Sequence, residues 1–95
     1  MIKVVAKNRI KQGSMDEVLN MLDEMIELTR KEDGCIKYEL FKNMNDSNVI
    51  TFIEEWENMD KLNAHINSDH FKRIIPAVGK HAEEDIPVEV YEKIK

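Results

Sequence analysis

The chain has one cysteine, two prolines and three glycines among its 95 residues. A lone Cys35 excludes an internal disulfide and fits a reducing cytoplasm. Gly13, Gly34 and Gly79 stand apart, so no glycine-rich phosphate loop can form. No apolar run approaches the roughly 20 residues that cross a bilayer, and the apolar segment of Met1–Lys7 is too short for a secretory signal. Basic residues are outnumbered 14 to 19, for a net charge of −5. Neither a basic run nor a basic face is present, which argues against nucleic acid or an anionic membrane as partner. With no repeat, low-complexity segment or linker, residues 1–95 read as one domain.

What is present is alternation. Val49–Trp56 is rich in β-branched and aromatic residues and follows the polar run Asn45–Asn48, so it reads as a strand. Ile50, Phe52 and Trp56 point to one side, and Val49 and Ile53 to the other. A strand apolar on both sides needs cover on both. A chain this short cannot supply two covers, so helices are expected on one face and a second copy of the protein on the other.

Residues 2–11 alternate in the same way, with Ile2, Val4, Ala6, Asn8 and Ile10 on the inner face. A buried amide must find partners, so Asn8 is either a satisfied rim residue or a polar group aimed into a ligand cavity. Ser14 and Glu17 have the spacing of a capping box. Met15, Val18, Leu19, Leu22, Met25 and Ile26 then recur at helical spacing to about Glu32, with Gly34 suited to a left-handed cap. Cys35–Asn43 reads as a second strand, with Ile36, Tyr38 and Leu40 inward and Cys35, Lys37, Glu39 and Phe41 outward. Asn58 can cap a second helix that carries Met59, Leu62, His65 and Ile66. Ser68 can cap a shorter one carrying Phe71, Ile74 and Ile75, which Pro76 limits or kinks and Gly79 ends. After a charged connector, Ile86, Val88 and Val90 alternate as a last strand.

The order strand, helix, strand, strand, helix, strand is the split βαβ pattern of ferredoxin-like folds. Its outer face would carry Val5, Phe41, Val49 and Ile53, a patch that two sheets face to face would bury as a homodimer. His65 and His70 are five residues apart, a poor angle for ligands on one helix, and Cys35 lacks a paired cysteine, so no metal site is expected. Cys35 has no visible base and is expected to be a small buried side chain. What remains is an apolar pocket ringed by Asn8, Tyr38, Trp56, His65, His70 and Phe71. An imidazole there could be a general base near neutral pH, or could simply bond a backbone carbonyl at the helix break.

Three stretches carry a resemblance: Ala6–Gly13, Glu32–Leu40, and Phe52–His65 followed by Ser68–Phe71. Over nearly its whole length the chain resembles the antibiotic biosynthesis monooxygenase domain, and within it the quinol-monooxygenase-like proteins. The resemblance implies a dimeric α/β barrel built from two ferredoxin-like sheets. It also implies oxygenation of a small hydroquinone or phenol by O2 without metal, flavin or haem. On that reading His65 is the base or proton shuttle, and Asn8 and Tyr38 are donors to substrate oxygens. Trp56, Phe52 and Phe71 shape the wall, and His70 sits at the mouth. Haem-degrading relatives use an inward Asn, a Trp on the second helix and a His on the following turn. Here Asn8 matches, but His65 stands at that Trp and Ile74–Ile75 occupy the ligand region. Two other readings stay open on the same fold. One is an isomerase of a phosphorylated dione, for which Arg9, Lys72 and Arg73 are candidate phosphate anchors. The other is a non-catalytic dimeric ligand-binding or stress-response module.

Overall fold

The structure, a computed structural model, describes every residue from Met1 to Lys95. Its elements are β1 (Ile2–Arg9), α1 (Met15–Arg30), β2 (Cys35–Lys42), β3 (Val49–Trp56), α2 (Met59–Ile66), α3 (Asp69–Gly79) and β4 (Glu89–Glu92). The strands form one antiparallel sheet in the order β2-β3-β1-β4. This is the ferredoxin-like arrangement, with the second helix broken in two. Inward residues of β1 and β3 join Val18, Leu22 and Met25 of α1, Leu62 of α2, and Ile74 and Val78 of α3 in a single core. Their spacing along each element is the one its repeat requires. No helix is long and apolar enough to cross a membrane.

Several local expectations change. Ser14 does precede α1, but its backbone is already helical and its side chain caps nothing. Its hydroxyl lies 3.2 Å from Nδ1 of His81 instead, so the capping box does not form. Helix α1 ends at Arg30, before Glu32. Gly34 still takes a positive φ of 86°, but in the turn into β2 rather than at the helix cap. The register between β2 and β3 breaks between Cys35 and Lys37. That break reverses the expected sides. Cys35 pairs with Trp56 and packs against the core, while Ile36 is 50% exposed. Burial, with the charges of Glu32 and Glu54 adding to it, pushes the Cys35 thiol up to about 11, which leaves it unreactive.

Helix α3 runs through Pro76 to Gly79. The last strand is shorter than the alternation suggests. Pro87 has no N–H to give a ladder, and pairing with β1 begins only at Glu89. The connector before it is clipped to β1 by a bridge between Ile10 and Ala82 and by Glu83 N donating to Arg9 O at 2.8 Å.

The outer sheet face departs from expectation at one residue of the patch. Val49 is buried within the chain: its cross-strand neighbour Arg9 reaches across to pair with Asp46 in the β2–β3 turn. Val5 and Ile53 are half-buried, and Phe41 is 47% exposed.

Candidate active site

A cavity of about 480 Å³ lies between the inner sheet face, α3 and the connector. That is room for a small aromatic molecule. Three strands contribute inward side chains. Ala6 and Asn8 come from β1, Tyr38 from β2, and Phe52 and Glu54 from β3. His65 enters from the last turn of α2 and Phe71 from α3.

The helix break positions the imidazole. Asn58 caps α2 by accepting from Lys61 N at 3.0 Å, and Ser68 caps α3 by accepting from Phe71 N at 3.3 Å. The Ser68 hydroxyl donates to the carbonyl of His65 at 2.7 Å, so one serine ends α2 and begins α3. His65 is 1% exposed and held among rings. The Trp56 centroid is 4.6 Å away, with Phe71 at 5.2 Å and Tyr38 at 5.5 Å, both edge-on. Tyr38 stacks on Phe52 at 4.5 Å.

Electrostatics assign the proton positions. Nδ1 of His65 lies 2.6 Å from Oε2 of Glu32, and Nε2 of His70 lies 2.8 Å from the same oxygen. A carboxylate accepts, so both histidines donate to Glu32. The neutral His65 ring therefore carries its proton on Nδ1. Its Nε2 makes no hydrogen bond, and His65 lines the cavity. Burial lowers the His65 pKa, against the opposing hydrogen bond to Glu32, which keeps the Nε2 lone pair free at neutral pH. Burial raises the Tyr38 phenol well above its ordinary value, with Glu54 adding to it, so Tyr38 remains a donor. Glu54 is buried and accepts from Trp56 Nε1 at 2.9 Å. Its carboxyl is pushed up to about 7 by burial, against the Trp56 hydrogen bond and with the Glu32 charge adding.

Of the residues read as a site, Asn8, Tyr38, Phe52, His65 and Phe71 line the cavity together. Trp56 does not reach it and packs behind His65. His70 is not at the mouth, because its ring turns to Glu32. The mouth is acidic, formed by Glu83, Glu84 and Asp85 with Lys7. The poor angle expected between His65 and His70 vanishes because the helix breaks between them, leaving the ring centroids 6.2 Å apart. Glu32 and Glu54 were missed. Alternation marks Glu54 as inward, between Phe52 and Trp56. Nothing local marks Glu32, whose partners lie 33 and 38 residues away.

A sequence model of the family described as "Antibiotic biosynthesis monooxygenase" matches residues 1–77. The chain belongs to this family. A crystal structure named "antibiotic biosynthesis monooxygenase" superposes with a TM-score of 0.95 at 35% identity, covering 100% of both chains. The Escherichia coli K12 protein named "Probable quinol monooxygenase YgiN" is 28% identical over 89 residues, 82% of this chain and 85% of its own. The Synechocystis protein "Uncharacterized protein sll1783" is 30% identical over 73 residues, 76% of this chain. The match spans only 50% of that relative's length.

Proposed function

We propose that this family member is a cofactor-independent monooxygenase acting on a small, neutral hydroquinone-type substrate, with Nε2 of His65 as the base. The observation that carries the reading is the His65 ring. One nitrogen is committed to Glu32 and the other is left unpaired beside an aromatic-lined cavity. A hydroquinone and O2 give a hydroxyquinone and water, with one oxygen atom entering the ring. His65 takes the first phenolic proton, which makes the ring electron-rich enough to give an electron to O2. Tyr38 and Asn8 donate to the oxygens on which charge develops. Glu54, pushed up to about 7, is able to take a second proton.

The charges support a neutral substrate. Lys7 is the one cation on the lining, against Glu54, Glu83, Glu84 and Asp85. Of the possible phosphate anchors, Arg9 is paired with Asp46 and Glu84, and Arg73 with Glu24 at 2.9 Å. None of Arg9, Lys72 and Arg73 lines the cavity. A phosphorylated dione would meet repulsion there.

The reading includes a homodimer, formed through the outer sheet face around Phe41, Val5 and Ile53 and measurable by sedimentation. The test of function is oxygen uptake over a panel of hydroquinones, phenols and diones, with an anaerobic control. Uptake with a hydroquinone, falling by about 100-fold or more in His65→Ala, is expected. A ligand-dependent rise in melting temperature without turnover would point to a binding module instead. Turnover that persists without oxygen would point to isomerisation.

A further inference from the structure

On the side of the His65 ring away from the cavity, three donor atoms from three segments converge. Glu32 comes from the turn after α1, His65 from the end of α2 and His70 from the start of α3. The carboxylate oxygen is 2.6 and 2.8 Å from the two ring nitrogens, and all three atoms lie within 4.8 Å of one another. None is an open surface group. The His65 side chain is 2% exposed, and those of Glu32 and His70 are each 15% exposed.

We propose that Glu32, His65 and His70 form a site for a divalent transition-metal ion, Zn²⁺ foremost, whose binding switches the cavity-facing nitrogen of His65 from acceptor to donor. Two imidazoles and one carboxylate are a recurrent zinc donor set that leaves a fourth position open. The same set ranks Cu²⁺ above Zn²⁺ in raw affinity and Mn²⁺ far below. Bonds of roughly 2.0–2.1 Å in a tetrahedron place ligand atoms about 3.3 Å apart. The Glu32 oxygen is nearer than that to both nitrogens, so its carboxylate must withdraw by about 0.5–0.7 Å. Glu32 can do so: it lies in a turn, and its side-chain hydrogen bonds are those to the two histidines.

The protons balance without any redox step. The ligating nitrogens, Nδ1 of His65 and Nε2 of His70, now carry the protons donated to Glu32. Each ring stays neutral by carrying its proton on the opposite nitrogen once the ion is bound. In His65 that nitrogen is Nε2, so the cavity meets an N–H where it met a lone pair. This consequence rests on His65 being the base, whereas metal binding itself does not.

Calorimetric titration of the purified protein with Zn²⁺ is expected to show one ion per chain. Glu32→Gln and His70→Asn should each weaken binding by about ten- to a hundredfold or more. His81→Asn should not change it, since that ring faces Ser14 and Glu17. A readout that needs no variant is the ¹⁵N spectrum of the wild-type imidazoles. Zn²⁺ should shift His65 and His70, leave His81 in place, and move the His65 proton from Nδ1 to Nε2. The absence of binding heat, equal affinity in all four proteins, or shifts confined to His81 would overturn the site. Binding with the expected ring shifts, but no oxygen uptake with or without metal, would uphold the site and overturn the oxygenase reading instead.

Discussion

Along β3, past the buried outer-face Val49 at its start, the two faces of the sheet diverge residue by residue. Inward stand Ile50, Phe52, Glu54 and Trp56, all buried. Outward stand Thr51, Ile53 and Glu55, all partly open. The inner face seats a carboxylate in the core and leaves a hollow beside an imidazole. The outer face mixes apolar and charged groups, with Val5 opposite Ile53 and Lys37 3.9 Å from Glu55. Polar groups on the buried side are few. Those on the open side change little within a single chain. A buried charge is tolerated only where partners are at hand.

The largest effect that would sharpen this contrast is expected at Trp56. It is fully buried, packs its tilted ring against His65 and donates to Glu54. Trp56→Ala should destabilise the fold by about 3–5 kcal/mol, read from denaturant unfolding. For a domain of this size that approaches the whole margin. If the loss were below about 1 kcal/mol, Trp56 would not be the inner face's anchor.

Glu54 gives the next effect, and its sign depends on pH. Burial raises its pKa from 4.5 to about 7 in the folded chain, so the folded state holds the proton more tightly than the unfolded one. The stabilisation this gives is full below about pH 4.5 and is lost as pH rises through about 7. Glu54→Gln cannot ionise. It should match wild type at pH 4.5 and exceed it by about 3 kcal/mol at pH 8, measured as the difference in unfolding free energy. A pH-independent difference would mean that Glu54 is solvated, and the inner face would lose its special status.

The smallest effect belongs to the open side. Ile36→Ser, at the register break, should change stability by no more than about 0.5 kcal/mol. A loss comparable to that at Trp56 would show Ile36 to be covered, by a second chain or otherwise, and would blur the comparison.

These contrasts also show where sequence patterns stop being informative. The strands, the helices and the inward Asn8, Tyr38 and His65 were legible because period 2 and period 3.6 survive in the residues themselves. The inversion at Cys35 and Ile36 was not, since one slipped residue in a ladder leaves the pattern intact but changes its phase. Ser14 had the spacing of a cap, and His81, 67 residues away, took its hydroxyl instead. Glu54 occupies an inward position by alternation, but its charge gives no sign in the sequence that it is buried. Glu32 and the meeting of His65 with His70 depend on a helix break and a distant turn. Only packing reveals them.

The proposed chemistry requires His65 to offer an unpaired nitrogen to whatever enters the cavity. A crystal structure grown without oxygen, with a small hydroquinone bound, tests this most directly. A substrate hydroxyl is expected within roughly 2.6–3.2 Å of His65 Nε2, with Glu32 still on Nδ1. A hydroquinone bound elsewhere, or Nε2 already bonded to a protein group, would contradict it.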